Sequence, residues 1–326
     1  MGNNILRAAI AAGWESVAFD RPDRRRRRHP ALAELDVEIA PGRESDFEAL
    51  HQAMVGCQVV FHTESYTPPN SLHAPRRRVE AREHIGHVLK ALKGTAVGRF
   101  VYTSTISTIG RSDSPTRLPD EWNHYRLGQV FHPYWDAKLV QEEAVLAWGR
   151  RGEIPIVITN VSEVVGPYDF GIQAADPLLE MVRRGIRQFM PGRVSVADAR
   201  DVAQGHLAAA ERGRAGERYI LAGHNITHQE KLVVMARACK RPPPESPIDM
   251  EAFTRNTRFS ERVSCLGRPN RAFPLSYQLE ALRRCKWYDS GKARDELNYS
   301  NRPLISTYRA TLAWLQEIGK LRQEDR

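Results

Sequence analysis

The chain predicts an α/β fold in which a parallel sheet carries helices on both faces. Two observations lead there. Short apolar runs alternate with longer amphipathic segments through the first half of its 326 residues, the pattern of βαβ units. The runs at 59–61, 100–102 and 156–158 are apolar at nearly every position, as strands buried on both faces must be.

Each element follows from local chemistry. Residues 5–13 read as a helix, with Ile5, Leu6, Ala9 and Ile10 on one face and Gly13 at its end. Residues 17–19 form a short strand ending at Asp20, and 37–39 form another. Residues 47–54 are amphipathic and helical, and 59–61 are a buried strand. A helix over 81–92 precedes the strand at 100–102. The helix at 134–148 turns Ala137, Ala144, Val145 and Trp148 inward, and 156–158 is the next strand. After Gly166-Pro167 the alternation loosens into helices over 177–184 and 202–210 and a strand at 219–221. Prolines at 242–244 and 247 break the chain, and 253–274 reads as polar and irregular. A last helix over 305–318 is anchored by Leu312, Trp314 and Leu315.

Composition narrows the function. A hydrophobic content of 41% can fill a sizeable core. No run of about 18 apolar residues occurs, so no membrane span is expected. The N-terminus lacks the basic start and apolar core of a signal peptide. Cys57, Cys239, Cys265 and Cys285 are scattered without a CxxC pair, which reads as reduced thiols and a cytoplasmic location. The net charge is +9, and five arginines stand together at 24–28. No aromatic residue interleaves them, so a solvated loop is preferred to nucleic-acid binding, with contact to a cofactor phosphate a third reading. The eleven histidines show no ligand spacing, so no metal is expected. No GxSxG elbow occurs.

The stretch Tyr134-Trp135-Asp136-Ala137-Lys138 carries chemistry. A tyrosine and a lysine four apart share one helix face. An ammonium there stabilises phenolate and lowers the tyrosine pKa, so the phenol can exchange a proton with a substrate hydroxyl or carbonyl near neutral pH. Thr105, at the end of the preceding strand, would hold the substrate oxygen.

Thr105, Tyr134 and Lys138 in this order resemble the catalytic set of the short-chain dehydrogenase/reductase superfamily. The resemblance extends through Gly56-Cys57-Gln58-Val59-Val60-Phe61-His62-Thr63, Arg99-Phe100-Val101-Tyr102-Thr103-Ser104-Thr105, Val164-Val165-Gly166-Pro167, Asp198-Ala199-Arg200-Asp201-Val202-Ala203 and Gly216-Glu217-Arg218-Tyr219-Ile220-Leu221. Taken together the chain is similar to the extended branch, the NAD-dependent epimerase/dehydratase family, and within it to dihydroflavonol 4-reductase-like enzymes and hopanoid-associated sugar epimerases. The resemblance implies a doubly wound, Rossmann-like sheet over 1–168, with 194–210 contributing, and a smaller substrate-binding region over 169–326. It implies NAD or NADP as cofactor, and hydride transfer at a hydroxyl or carbonyl carbon of a sugar-nucleotide, steroid or terpenoid, or flavonoid-like substrate. It places Gly2, Asp20, Arg21, His62, Lys138 and Asn160 against the cofactor, with a core or loop reading of His62 also open. It makes Asp198 and Asp201 a structural link and implies a homodimer built partly on the helix of Tyr134.

The departures are equally specific. The family's Gly-rich turn lies between its first strand and first helix, and this chain begins inside that turn, with Gly2 matching its last glycine. The first, central strand is therefore expected to be absent. Either the reading frame starts at an internal methionine, or the chain is a degenerate relative that binds a ligand or partner without catalysis. Arg43 stands where the family often has an acidic residue, Glu64-Ser65 where it has small residues, Ala81 for an asparagine and Val161 for a proline. Asp20 favours NAD by its reach to ribose hydroxyls, while Arg21 suits the 2′-phosphate of NADP.

Overall fold

The structure is a computed structural model describing residues 1–21, 32, 34–68, 74–110, 116–128, 133–152, 154–171, 174–256 and 287–321. The arginine block at 24–28 lies outside these residues, as does most of the segment at 253–274, whose first residues are helical. In chain order the elements are α1 (Gly2–Ala11), β1 (Val17–Asp20), β2 (Glu38–Pro41), α2 (Phe47–Met54), β3 (Val59–His62), α3 (Ala74–Ala91), β4 (Arg99–Thr105), α4 (Pro133–Gly149), β5 (Ile156–Val161), β6 (Glu163–Val165), α5 (Asp176–Arg184), β7 (Gln188–Phe189), β8 (Arg193–Asp198), α6 (Ala199–Arg212), β9 (Arg218–Leu221), β10 (His224–Thr227), α7 (His228–Cys239), β11 (Ser246–Pro247), α8 (Gly291–Leu297) and α9 (Leu304–Glu317).

The alternation expected from sequence is the architecture found. Strands β3, β4, β5 and β9 form an all-parallel sheet in that spatial order. Successive residues of β4 face opposite ways. Phe100 and Tyr102 pack with Ile85, Val88, Leu92, Val145 and Trp148 from α3 and α4. Val101 packs on the other side with Val202 and Ala209 of α6 and Leu297 of α8. Helix α1 joins that second layer by setting Ile5, Ala8 and Ala9 against Ala203 and Leu207.

The expected break in the sheet is present. Strands β1 and β2 pair in parallel with each other alone, and among the described residues no ladder joins β1 to β3. The consequence is legible in burial. Phe100, Val101 and Tyr102 of β4 are fully buried, whereas Val59, Val60 and Phe61 of β3 are only half-buried.

Five strands, β6, β7, β8, β10 and β11, escape the sequence reading. Strand β8 pairs with β6 in parallel and with β10 antiparallel. Val194 and Val196 of β8 join Leu178, Met181, Met235, Tyr308 and Leu312 in a second core. Asp198 and Asp201 both form structural contacts at the start of α6. Asp198 caps α6 by accepting the Arg200 N–H at 2.8 Å. The Arg302 side chain, before α9, donates to Asp201 at 2.8 Å.

Candidate active site

Parallel strands deliver their C-terminal ends to one edge of the sheet, where Thr105 lies beside Val161 while His62, opposite Tyr102, ends three residues short of Thr105. Helix α4 packs along α3 and crosses β4, which brings Tyr134 and Lys138 to that edge. Lys138 is almost completely buried. Its Nζ donates to the Thr103 carbonyl at 3.2 Å and stands 5.3 Å from the centre of the Tyr102 ring. Burial pushes its pKa down to about 8, with Glu142 and Glu44 acting in the opposite direction.

The tyrosine departs from expectation. Burial pushes the Tyr134 hydroxyl above the ordinary tyrosine value, and the Ser65 hydroxyl beside it provides the opposing influence. Lys138 is not among the groups that shift it, and its ammonium donates to the Thr103 carbonyl at the strand. In the chain alone Tyr134 therefore keeps its proton at neutral pH. Thr105 Oγ1 accepts the Ser107 N–H at 3.3 Å and so starts the turn over Ile106–Thr108.

Asn160 is turned into the protein. Its Nδ2 donates to Glu142 Oε2 at 2.9 Å, to Thr108 Oγ1 at 2.9 Å and to the Thr105 carbonyl at 3.2 Å. Glu142, one helical turn beyond Lys138, is the hub of a buried polar network. Ser104 and Thr108 donate to its Oε2, and Arg218 meets its Oε1 at 3.2 Å. This network fixes α4 against the ends of β4, β5 and β9. Sequence reasoning missed Glu142; its i+4 spacing from Lys138 was the available signal.

The remaining predicted residues gather on the β1–β3 side. Gly2 opens α1 against Thr63, and a Cβ there would meet Thr63 Oγ1 at 2.8 Å. Asp20 ends β1 and accepts the Arg21 N–H at 2.8 Å. Arg21 forms an ion pair with Glu64. His62 does not face open space. Its Nε2 meets Glu44 Oε1 at 2.7 Å, and its ring stacks on Tyr102 at 5.5 Å. The other Glu44 oxygen lies 2.7 Å from His84 Nε2. Although burial alone would raise it, hydrogen bonds and charge from His62 and His84 bring the Glu44 carboxyl to a pKa of about 2. Sequence reasoning noted Arg43 as the lost acidic residue and overlooked the acid next to it. A cavity of about 440 Å³ opens here, lined by Arg21, Arg43, Glu44, Tyr66, Glu80 and His84 among others. Tyr134 is not among its lining residues.

Residues 1–222 match the model of the NAD dependent epimerase/dehydratase family. The chain belongs to that family. It is thus an oxidoreductase of the short-chain dehydrogenase/reductase type, within a family of NAD-dependent enzymes. A Synechocystis sp. protein that carries the name dihydroflavonol 4-reductase is 27% identical over 99% of this chain and 94% of its own length. Sterol demethylase protein B of Methylococcus capsulatus is 26% identical over 98% of this chain and 97% of its own. A crystal structure of a nucleoside-diphosphate-sugar epimerase from Pseudomonas aeruginosa superposes with a TM-score of 0.79 at 24% identity, covering 98% of this chain and 95% of that one; this likeness speaks to fold. No helix among the described residues is long and apolar enough to cross a membrane.

The residues present fit a nicotinamide dinucleotide at its reactive end. Lys138 engages the Thr103 carbonyl with one of its three N–H donors. Gly2 packs closely on Thr63, so a side chain there would collide with Thr63 Oγ1.

Proposed function

We propose that the chain transfers hydride at a hydroxyl- or carbonyl-bearing carbon, with Tyr134 as proton donor and acceptor. The observation that carries this reading is Tyr134 and Lys138 on one helix, set across the end of β4 with the Lys138 ammonium on the Thr103 carbonyl. Thr105 would hold the substrate oxygen, and Lys138 would hold the ribose beside the nicotinamide. Asp20 would meet the ribose hydroxyls at the other end, and Gly2 would let the backbone approach the pyrophosphate. When bound, the dinucleotide supplies the hydride or accepts it.

A phenol that keeps its proton is set to act first as an acid. It gives that proton to a carbonyl oxygen as the carbon is reduced, and takes one from a hydroxyl in the reverse direction. The Arg21 charge is answered by Glu64 within the chain, which supports NAD over NADP. The substrate read here is a steroid- or terpenoid-like or flavonoid-like ketone or alcohol, in keeping with the names of the relatives matched over their whole length. Nucleotide sugars are the alternative substrate class.

A second reading has its own observation. Arg21 with Glu64 and Glu44 with His62 place ion pairs on the side where the adenosine would lie, as in a relative that binds a ligand without catalysis. Titration with NADH and NADPH, followed by nicotinamide fluorescence, separates the two. Saturable NADH binding together with loss of turnover in Tyr134→Phe, at unchanged NADH affinity, supports the enzyme. A folded chain that binds neither dinucleotide supports the second reading.

A further inference from the structure

One buried charge at the site is left unused by the proposed chemistry. Glu142 is 1% exposed and Lys138 is 3% exposed. They stand four residues apart on α4 and so share one face of that helix. Both are fastened to consecutive residues of β4. The Lys138 ammonium donates to the Thr103 carbonyl at 3.2 Å, and the Ser104 hydroxyl donates to Glu142 Oε2. Thr108 at 2.6 Å and Asn160 at 2.9 Å donate to the same oxygen, and Arg218 meets Oε1. Every one of these partners is a donor, the arrangement that suits an ionised carboxylate.

An ammonium at this depth needs support, because burial favours the neutral amine. The other groups around α4 supply little. Asp136 is taken up by Arg78 of α3 and by Tyr125. Tyr102 of β4 and Tyr134 keep their protons, and His206 behind Thr103 is neutral. His124, in the loop before α4, is held below the ordinary histidine value by burial and by Arg218. Glu44, engaged by His62 and His84, supports Lys138 less than Glu142 does. Arg218 is not among the groups that act on Lys138.

We infer that Glu142 is a positioning residue for Lys138: its buried charge keeps the ammonium ionised against the Thr103 carbonyl at the end of the sheet. The role rests on reading Lys138 as the group that holds the ribose. An ammonium has three donors, and the bond to Thr103 uses one of them. A neutral amine would lack both the third donor and the charge. Glu142 thus sets the pH above which the site loses its cation.

The test follows the Lys138 side chain by NMR through a pH titration of the full chain without dinucleotide, its signal assigned by its loss in Lys138→Met. A midpoint near 8 is expected in the parent. Glu142→Gln keeps the size of the side chain and removes its charge. Losing a negative neighbour favours the neutral amine, so the midpoint should fall by at least about half a pH unit, roughly a threefold loss of proton affinity. That variant leaves Arg218 without its partner, so Glu142→Gln combined with Arg218→Met is measured beside it. The midpoint of the combined variant should also lie below that of the parent, and it decides alone if the single variant does not fold. An unmoved midpoint in either folded variant overturns the role. Turnover, where present, should fail at a lower pH in step with the midpoint. A chain that binds no dinucleotide fails the ribose reading, while the titration still judges Glu142.

Discussion

Two buried titratable side chains near the site shift in the direction that burial dictates. Lys138 and His206 both lose basicity because a charge is costly to bury. His206 is fully buried between β4, β5 and α6. Its Nδ1 lies 2.7 Å from the Val202 carbonyl, which can only accept, so that nitrogen carries the proton. Nε2 then faces the hydroxyls of Thr103 at 3.0 Å and Thr159 at 2.8 Å. Thr103 thereby touches both the neutral histidine and, through its carbonyl, the Lys138 ammonium. The His206 pKa falls to about 4. Below the unfolded value of about 6.5, the unfolded chain binds a proton that the fold refuses. Stability is therefore fully present above pH 6.5 and declines as pH falls towards 4. Against His206→Gln, the parent should lose roughly 3 kcal/mol more between pH 7 and 4, measured by urea unfolding. Parallel pH profiles for the two proteins would rule this out.

At the scale of elements, the site is held by the contact of α4 with β4, β5 and β9. Glu142 makes that contact polar, and Arg218 on β9 is its charged partner. Both side chains are nearly inaccessible. Removing one member of such a pair leaves the other charge buried and uncompensated, at a cost of about 3–5 kcal/mol. Arg218→Met should therefore unfold at a markedly lower temperature. Restoring neutrality with Glu142→Gln in the same chain should recover much of the loss. If the double variant is no more stable than the single one, the pair is not what fastens α4. Helix α7 shows a different device. Thr227 and Glu230 form a reciprocal capping box, a Thr-x-x-Glu signal that was readable in the sequence and marks a helix the initial pattern reading passed over.

For the whole molecule, the governing feature is a sheet in two hydrogen-bonded parts. Strand β4 has partners on both sides, whereas β1 has only β2. Local opening is cheapest where backbone bonds are few and exposed, and an isolated strand pair is marginal. Amides of β4 should exchange with deuterium at least about tenfold more slowly than those of β1, read by hydrogen exchange and mass spectrometry. Equal protection would mean that the β1–β2 pair is secured as firmly as the central sheet.

The sequence by itself determined the order of elements, the parallel sheet buried on both faces, the break beside β1 and the placing of Tyr134, Lys138 and Thr105 along the chain. These properties are local and periodic, so neighbouring residues record them. Boundaries were less legible. Helix α3 begins at Ala74, before the expected 81, because arginine and glutamate pairs extend it without an apolar stripe. What only the tertiary structure decided was how side chains share a limited buried space. It turned Asn160 inward to Glu142, drew Lys138 to the Thr103 carbonyl and raised the Tyr134 hydroxyl. It also brought Glu44, His62 and His84 together from separate elements. Burial and pairing depend on the whole fold, and neither leaves a periodic trace in the chain.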